Sequence, residues 1–169
     1  AAVTNSIKLG VGVVNPFTRN LALLGMATAT LDRISGGRFI LGLGRSERSV
    51  IEDKMGISYH GSSITLENSV QILRDILSGQ VFERGDNLFN LKDINLSIKP
   101  VQTKVPIYLA AIGPMALRKA GSIADGVILN AYVSTGYVKY AVKEIKSAKE
   151  KNIYISAEGL MLPCCWTAG

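Results

Sequence analysis

Residues 105–130 read VPIYLAAIGPMALRKAGSIADGVILN, and they contain a strand, a helix and a second strand within one short stretch. The apolar runs Ile107–Ala111 and Val127–Leu129 predict two buried strands. Between them, Pro114 stands where a helix tolerates a missing N–H, and Gly121 is typical of a helix end. A buried strand, a helix and another buried strand form the parallel crossover unit. Proteins of the α/β class carry their ligand sites at the carboxyl ends of such strands.

The rest of the chain repeats this alternation. Apolar runs predict further strands at Ile7–Val14, Arg38–Gly44 and Ile153–Leu162. Glycines predict helix ends at Ser35-Gly36-Gly37 and at Ser78-Gly79. Apolar residues at helical spacing predict three further helices. Their core-facing sets are Leu21, Leu24, Thr28 and Leu31; Leu66, Val70, Leu73 and Leu77; and Val138, Ala141, Val142, Ile145 and Ala148.

Two connecting segments differ from this pattern. Weak alternation over Val81–Leu96, with a turn at Gly85-Asp86-Asn87, predicts a small hairpin insertion. The segment Arg45–Ser63 is long and polar for a connection, which is typical of a functional or mobile loop.

The order of the elements predicts the α/β class. Strands that alternate with long helices require a parallel sheet covered by helices. Two forms fit this requirement: a doubly wound open sheet and a stretch of a (β/α)8 barrel. A whole barrel needs about 250 residues, so, if the form is a barrel, a chain of 169 residues would be only the middle of one. The length favours one domain over residues 1–169.

Composition limits the functional classes. Apolar residues make up 47% of the chain and charged residues 19%, which indicates a globular protein. No apolar run approaches the roughly 20 residues that cross a bilayer, and the N-terminus has no signal-peptide pattern. We therefore expect a soluble, cytoplasmic protein with no membrane partner.

The net charge of +6 does not by itself indicate nucleic-acid binding. One dense group of lysines, interleaved with Glu144 and Glu150, is typical of a solvated helix face and has no nucleic-acid motif beside it. This group comprises Lys139, Lys143, Lys146, Lys149 and Lys151. We expect no nucleic-acid partner, and the positive charge suits an anionic ligand.

The sequence gives no indication of a metal site. Its two cysteines, Cys164 and Cys165, are adjacent, and neighbours in sequence make a poor pair of ligands. His60 is the single histidine, and no Cys/His spacing pattern surrounds it. We therefore expect no bound metal.

Four stretches, in order, carry a family resemblance: IKLGVGVVNPFTR, ATLDRISGGRFILGLG, LRDILSGQVF and PIYLAAIGPMALRKAGSIADGVIL. Together they resemble the bacterial luciferase-like superfamily, and within it the deazaflavin-dependent enzymes typified by archaeal methylenetetrahydromethanopterin reductase. The resemblance implies a partial (β/α)8 TIM barrel, about strands three to seven, truncated at both ends. Five strands leave two hydrophobic sheet edges open, so we expect a homo-oligomer.

The resemblance also implies three groups of cofactor-binding residues. Gly12 and Val13 match a strand end where the family often has a non-prolyl cis peptide behind the cofactor ring. The second group, Gly44, Arg45 and Ser46, follows the strand LGLG. The third is the turn that relatives use for the side chain and phosphate of the cofactor, and it comprises Ile112, Gly113, Pro114, Met115 and Ala116.

Two further residues are candidates at these strand ends. Asn15 is able to hydrogen-bond a ligand, although capping the next turn is the commoner use of such a residue. Glu47 matches a place where some deazaflavin dehydrogenases have an acidic catalytic group. In a polar loop, a solvated ion pair of Arg45 and Glu47 is the ordinary alternative.

The resemblance implies an oxidoreductase that transfers a hydride to a small-molecule substrate, such as a methylene-pterin. Its cofactor would be the 8-hydroxy-5-deazaflavin coenzyme, with FMN and monooxygenation as the alternative. A third possibility is a non-catalytic barrel fragment that associates with itself. The chain has no match to the acidic and histidine residues that the family carries on its first two strands.

Overall fold

The computed structural model describes residues 1–59, 62–85, 89–148 and 154–157. The chain divides into two compact units, Ala1–Pro106 and Ile107–Gly169. Both contain parallel strands and helices, which confirms the α/β class. Among the described helices, none has the length and apolar character to cross a membrane.

The first unit contains a parallel strand pair, helices and a hairpin. Its elements are β1 (Leu9–Val14), α1 (Leu21–Ile34), β2 (Phe39–Leu43), a π-helix (Ser49–Lys54), α2 (Ser62–Leu77), β3 (Phe82–Gly85) and β4 (Asn90–Ile94). Strands β1 and β2 pair in parallel, with Val11 opposite Leu41. Strands β3 and β4 pair antiparallel, which confirms the predicted hairpin. The π-helix lies within the polar connection and was not predicted.

Strand β1 is less buried than its apolar sequence predicts. Ile7 precedes the strand and is 59% exposed, and Val13 is 37% exposed. Within the first unit, β1 has one neighbouring strand, β2. An apolar run is buried on both faces only when further elements cover it, so the prediction of a buried strand is wrong here.

The buried face of α1 differs from the prediction at its last position. Leu21, Leu24 and Thr28 are buried as expected, but Leu31 is 45% exposed. Asp32, one residue further, is fully buried in its place. A charged side chain is buried only when hydrogen bonds replace its water, and Asp32 has such partners.

The Asp32 carboxylate holds the segment that precedes the next unit. Its Oδ2 accepts hydrogen bonds from the backbone N–H groups of Val101 (2.7 Å) and Gln102 (2.9 Å). Its Oδ1 accepts from Nε2 of Gln102 at 2.7 Å, and that Nε2 also donates to the carbonyl of Phe39 at 2.9 Å. One carboxylate therefore connects the end of α1, the start of β2 and the chain at residues 101–102.

The second unit consists of parallel strands joined by helices. Its elements are β5 (Ile107–Ala110), α3 (Pro114–Ile123), β6 (Gly126–Leu129), α4 (Thr135–Ser147) and β7 (Tyr154–Ala157). Strand β6 pairs in parallel with β5 on one side and β7 on the other. This order confirms the crossover unit predicted from residues 105–130.

Tyr108 and Gly126 fit together at the amino ends of these strands. A Cβ on Gly126 would lie 2.6 Å from atoms of the Tyr108 ring, so the ring occupies the space that a side chain would fill. The Tyr108 ring also stacks on Tyr154 with centroids 6.4 Å apart. A glycine on β6 thus allows two rings on the neighbouring strands to meet.

Helix α3 does not end at Gly121, as its sequence suggests, but continues to Ile123. A Cβ at Gly121 would lie 2.6 Å from the carbonyl oxygen of Ile145 on α4. The glycine therefore serves close packing of two helices and not termination. An ion pair between Arg118 and Glu144, 3.2 Å apart, joins the same helices, so Glu144 does not belong to a wholly solvated face.

Several predictions fall on residues outside the described ranges. They concern His60, Asp86, Asn87, Lys149, Glu150, Lys151, Cys164, Cys165 and the last predicted strand before Tyr154 and after Ala157. The single domain and the numbering of the strands as the third to seventh of a barrel stay predictions.

Replacing Asp32 by alanine is expected to lower the free energy of unfolding by about 3 kcal/mol. It leaves the part-buried N–H groups of Val101 and Gln102 without an acceptor, and a buried N–H group without a partner costs about 1–3 kcal/mol. Urea denaturation measures the change. Asp53→Ala, on an exposed position of the π-helix, is the control and is expected to change stability by less than about 0.5 kcal/mol. Equal midpoints for the two variants would contradict this account of Asp32.

Gly121→Ala and Gly136→Ala are expected to change stability in opposite directions. At Gly121 the methyl group meets backbone of α4, and overpacking of this kind costs about 1–3 kcal/mol. At Gly136 the nearest atom to a new Cβ is Oγ of Ser134, 3.8 Å away, so alanine adds helix propensity worth up to about 1 kcal/mol. Thermal unfolding of both variants tests this. A stable Gly121→Ala protein would show that the two helices separate at little cost.

Candidate functional site

In the first unit, the carboxyl ends of β1 and β2 are connected. The N–H of Gly44 donates to the carbonyl of Val14 at 3.0 Å. Asn15 donates from Nδ2 to the carbonyl of Arg45 at 2.7 Å. The structure therefore brings Asn15, Gly44 and Arg45 together, as expected for strand ends on one edge of a parallel sheet.

The Asn15 side chain is used in building this edge. Its Oδ1 accepts a hydrogen bond from the N–H of Phe17 at 2.7 Å, while its Nδ2 holds Arg45. These contacts correspond to the turn-capping alternative. A contact between Asn15 and a cofactor stays a prediction.

The peptide bond between Gly12 and Val13 is cis, as the resemblance implied. Both residues are exposed, so this bond lies at an accessible part of β1. Its place behind a cofactor ring stays a prediction.

Tyr59 holds the loop after β2, and sequence reasoning did not single it out. Its hydroxyl donates to the carbonyl of Ser46 at 2.8 Å, and Ser46 has a left-handed φ of 63°. Tyr59 as a whole is only 9% exposed, and the centroid of the Phe17 ring lies 4.8 Å from that of the Tyr59 ring. Arg48 also lies over the Tyr59 ring, with its guanidinium carbon 6.0 Å from the ring centroid. A lone aromatic residue in a polar stretch was the only sequence signal.

Arg45 and Glu47 are both exposed residues of this loop. The carbonyl of Glu47 accepts hydrogen bonds from Val50 and Ile51, each 3.1 Å long, and so begins the π-helix. An ion pair of this loop joins Arg48 and Glu52 at 3.4 Å. The acidic group at position 47 is accessible to a ligand, and its catalytic role stays a prediction.

The turn after β5 is open and has no side-chain cap. Gly113 precedes α3 with φ 31° and ψ 158°, and Pro114 is the first helical residue. Among the described residues, apart from Gly113 and its two chain neighbours, no atom lies within 4 Å of the place where a Cβ on Gly113 would stand. Ile112 and Met115 are 57% and 80% exposed, and Ala116 is half-buried.

This turn has the chemistry of an anion-binding site. The first N–H groups of a helix have no partner within the helix, and the helix dipole gives this end a partial positive charge. Gly113 has no side chain to accept from these N–H groups and leaves space for an anion to approach. A phosphate or carboxylate at such a position is stabilised by both effects.

Burial raises the pKa of two tyrosines in the second unit. For Tyr108, burial has the largest effect, and Tyr154 and Asp125 raise the pKa further. For Tyr137, burial is again the largest cause, followed by Tyr140. Neither tyrosine is among the predicted site residues. Within the described ranges, no group of three or more His, Cys, Asp and Glu residues could hold a metal.

A cavity of about 330 Å³ lies in the first unit between the loop after β1 and strand β4. Its lining includes Phe17, Arg19, Asn20, Phe89 and Asn90. Asn20 uses its side chain to cap α1, accepting from the N–H groups of Ala22 and Leu23. None of the predicted site residues lines this cavity.

A model of a known protein family matches most of this chain. The model of the luciferase-like monooxygenase family matches residues 1–158. This chain belongs to that family. The match includes all the predicted site residues, from Gly12 to Ala116, and confirms the resemblance seen in the sequence.

Two enzymes are similar to this chain in sequence. The 5,10-methylenetetrahydromethanopterin reductase of Methanolobus tindarius is 39% identical over 148 residues, which are 88% of this chain and 44% of the relative. The F420-dependent glucose-6-phosphate dehydrogenase of Amycolatopsis mediterranei is 31% identical over 159 residues, which are 89% of this chain and 47% of the relative. The chain thus spans about half the length of these luciferase-like relatives.

A solved structure shows the same fold. The coenzyme F420 dependent tetrahydromethanopterin reductase of Methanopyrus kandleri superposes with a TM-score of 0.78 at 30% sequence identity. The match covers 92% of this chain and 50% of the reductase. The luciferase-like fold therefore accounts for nearly the whole chain.

Proposed function

We propose that this chain is part of a deazaflavin-dependent oxidoreductase, and that the turn Ile112–Ala116 holds the anionic side chain of the cofactor. The observation that carries this proposal is the open turn at Gly113. It combines a left-handed glycine, an uncapped helix start and free space at the missing Cβ. The cofactor class is supported by the F420-dependent relatives at 31% and 30% identity.

The residues of the turn would bind the cofactor through backbone groups. The N–H groups at the start of α3 would donate to a phosphate or carboxylate oxygen, and Gly113 would allow the oxygen to come close. A net charge of +6 would favour the approach of such an anion. Binding would therefore depend on the shape of the turn more than on any one side chain.

In the first unit, the residues after β1 and β2 would orient the reacting part of the ligand. Gly12 and Val13 would stand behind the cofactor ring, and Gly44, Arg45 and Ser46 would border it. The contacts of Asn15 and Tyr59 fix this loop before any ligand binds. Preorganisation of this kind lowers the entropy cost of binding.

A reduced deazaflavin supplies a hydride when bound, and the electrophilic carbon of a small-molecule substrate accepts it. A methylene-pterin is the substrate class we propose, because the reductase of Methanolobus tindarius is 39% identical. Glu47 is the candidate acidic catalytic group, since it is an exposed residue of the loop that follows β2. We further propose that the protein acts in the cytoplasm.

Titration with oxidised deazaflavin coenzyme tests the proposal through quenching of the cofactor's fluorescence. Gly113→Ala is expected to lower the affinity at least tenfold. A side chain is strained at this φ, so the turn and the N–H groups at the start of α3 would shift away from the anion. Each charge-assisted hydrogen bond lost in this way is worth about 1.5–3 kcal/mol. Gly56→Ala is the matched control: Gly56 also has a left-handed φ, +65°, and no atom within 4 Å of a new Cβ. Alanine is strained at this φ too, and Gly56 is not part of the turn, so Gly56→Ala should leave the affinity unchanged.

Other results of this titration would favour other functions. Binding of FMN in preference to deazaflavin would favour a monooxygenase. Equal loss of affinity in Gly113→Ala and Gly56→Ala would show that the turn is not the binding site. If the folded wild-type chain binds neither cofactor, the proposal fails. Arg45→Ala tests the second loop, and an unchanged affinity would remove Arg45 from the site.

Self-association is the second candidate function, and one observation favours it. Helix α1 exposes four large apolar side chains at helical spacing: Leu23 (64%), Met26 (52%), Leu31 (45%) and Ile34 (66%). A stripe of this extent on a helix is typical of a surface that another helix covers.

Glutamate at Leu23 and Ile34 is expected to reduce any homo-oligomer to monomers, because two charges in the stripe would be buried without partners. The native mass, measured by light scattering, reports the change. Lys139→Glu together with Lys143→Glu, on exposed positions of α4, is the control for added acidic charge. A wild-type chain that is monomeric at high concentration would contradict self-association.

A further inference from the structure

The cavity beside α1 carries a positive charge. Its lining comes from residues 16–21, which lead into α1, and from residues 89–91 at the start of β4. All of these residues belong to the first unit. Among them, Arg19 is the one with a charged side chain, and none is acidic. Because no carboxylate of the lining offsets the guanidinium, the field in the cavity favours an anion.

The guanidinium of Arg19 is not used in holding the fold. Within the part of the chain that the structure describes, it has no hydrogen bond and no ion pair. Arg38 in the same unit shows the opposite behaviour, since it donates to the carbonyls of Ser35 at 2.6 Å and Ile7 at 2.8 Å. A guanidinium presents its N–H donors as a planar fork that matches an oxyanion. Those of Arg19 stay available to a ligand.

Asn90 provides a second available polar side chain at the cavity. Its amide has no hydrogen bond to another described residue. Asn20, in the same lining, instead uses its side-chain oxygen to accept from the N–H groups of Ala22 and Leu23. The chain itself thus caps the start of α1, and the available donors at this cavity belong to the side chains of Arg19 and Asn90.

The size of the cavity suits an organic molecule rather than a bare anion. Its volume of about 330 Å³ is roughly eleven times the share of one water molecule in the liquid, about 30 Å³. A bare phosphate would leave most of this space to water. Phe17 and Phe89, both half-buried, belong to the lining and offer apolar contact. Apolar walls with a few polar groups are typical of sites for small molecules.

We propose that this cavity binds a small organic oxyanion, a carboxylate or a phosphate monoester, with Arg19 as its charge partner. Asn90 donates a further hydrogen bond, and the apolar part of the ligand lies against Phe17 and Phe89. None of the predicted cofactor-binding residues lines the cavity. The site is therefore separate from the turn at Gly113 and does not rest on the proposed function.

Calorimetric titration of the chain with benzoate and with phenyl phosphate tests the site. Arg19→Gln is expected to weaken binding of the preferred probe about tenfold, because it removes charge-assisted hydrogen bonds. Arg19→Lys keeps the charge without the planar fork and should give an intermediate affinity. The matched control is Arg33→Gln, which removes the same charge from an exposed position of α1 outside the lining and should leave the affinity unchanged. The tighter of the two probes identifies the oxyanion.

Two further measurements locate the probe and test its charge. Benzyl alcohol has the ring without the anion and is expected to bind at least tenfold more weakly than benzoate. In amide NMR spectra, benzoate is expected to shift the N–H signals of Arg19 and Asn90 and to leave those of Met115 and Ala116 in place.

Three results would overturn the proposal. The first is a folded wild-type chain that binds neither probe at millimolar concentration. The second is an equal loss of affinity in Arg19→Gln and Arg33→Gln, which would show a long-range effect of net charge. The third is a set of NMR shifts confined to the start of α3. Since neither probe contains a deazaflavin, these results leave the proposed function to its own titration.

Discussion

The first unit depends on a buried carboxylate that no water reaches. Asp32 lies at the end of α1 and accepts from Val101, from the backbone of Gln102 and from its side chain. The Gln102 amide also donates to the carbonyl of Phe39, so the same contact reaches the first residue of β2. Further along the chain from Gln102, the carbonyl of Pro106 accepts a hydrogen bond from the N–H of Leu41 in β2 at 3.0 Å. The buried side chain of Asp32 thus takes the place that the helical pattern assigns to Leu31, one residue earlier.

The candidate site is built mainly from backbone groups on this scaffold. In the first unit, hydrogen bonds from Gly44 to Val14 and from Asn15 to Arg45 fix the strand ends. In the second unit, the turn at Gly113 offers N–H groups and open space. Side chains with strongly reactive groups are few at either place. This composition suits a protein that binds and orients a cofactor, while the cofactor carries the reaction.

Local patterns in the sequence predicted most elements, because each strand and helix has its own apolar period. They failed where a residue's role depends on a distant partner. Gly121 reads as a helix end, and only the approach of Ile145 shows that it serves packing. Leu31 fits the apolar face of α1, but the partners of Asp32 bring the neighbouring position inward. The apolar sequence of β1 predicts burial, which a single neighbouring strand does not provide.

The site was predictable to the extent that it is made of turns. The Gly-Pro pair at 113–114 indicates an uncapped helix start, and the family resemblance indicates Gly12 and Arg45. Tyr59 was not predictable, since it acts through a hydrogen bond to Ser46, which lies 13 positions away in the sequence. Long-range contacts and dihedral angles leave no trace in a local pattern of residue types.

The pairing of Tyr108 with Gly126 constrains how this sequence can diverge. The ring on β5 fills the volume above the glycine on β6, and from there it reaches the ring of Tyr154 on β7. Any side chain at position 126 would displace the Tyr108 ring, and a small residue at position 108 would leave a hollow beside the glycine. Either substitution alone would disturb this packing, so in descendants of this chain the two positions are expected to change together.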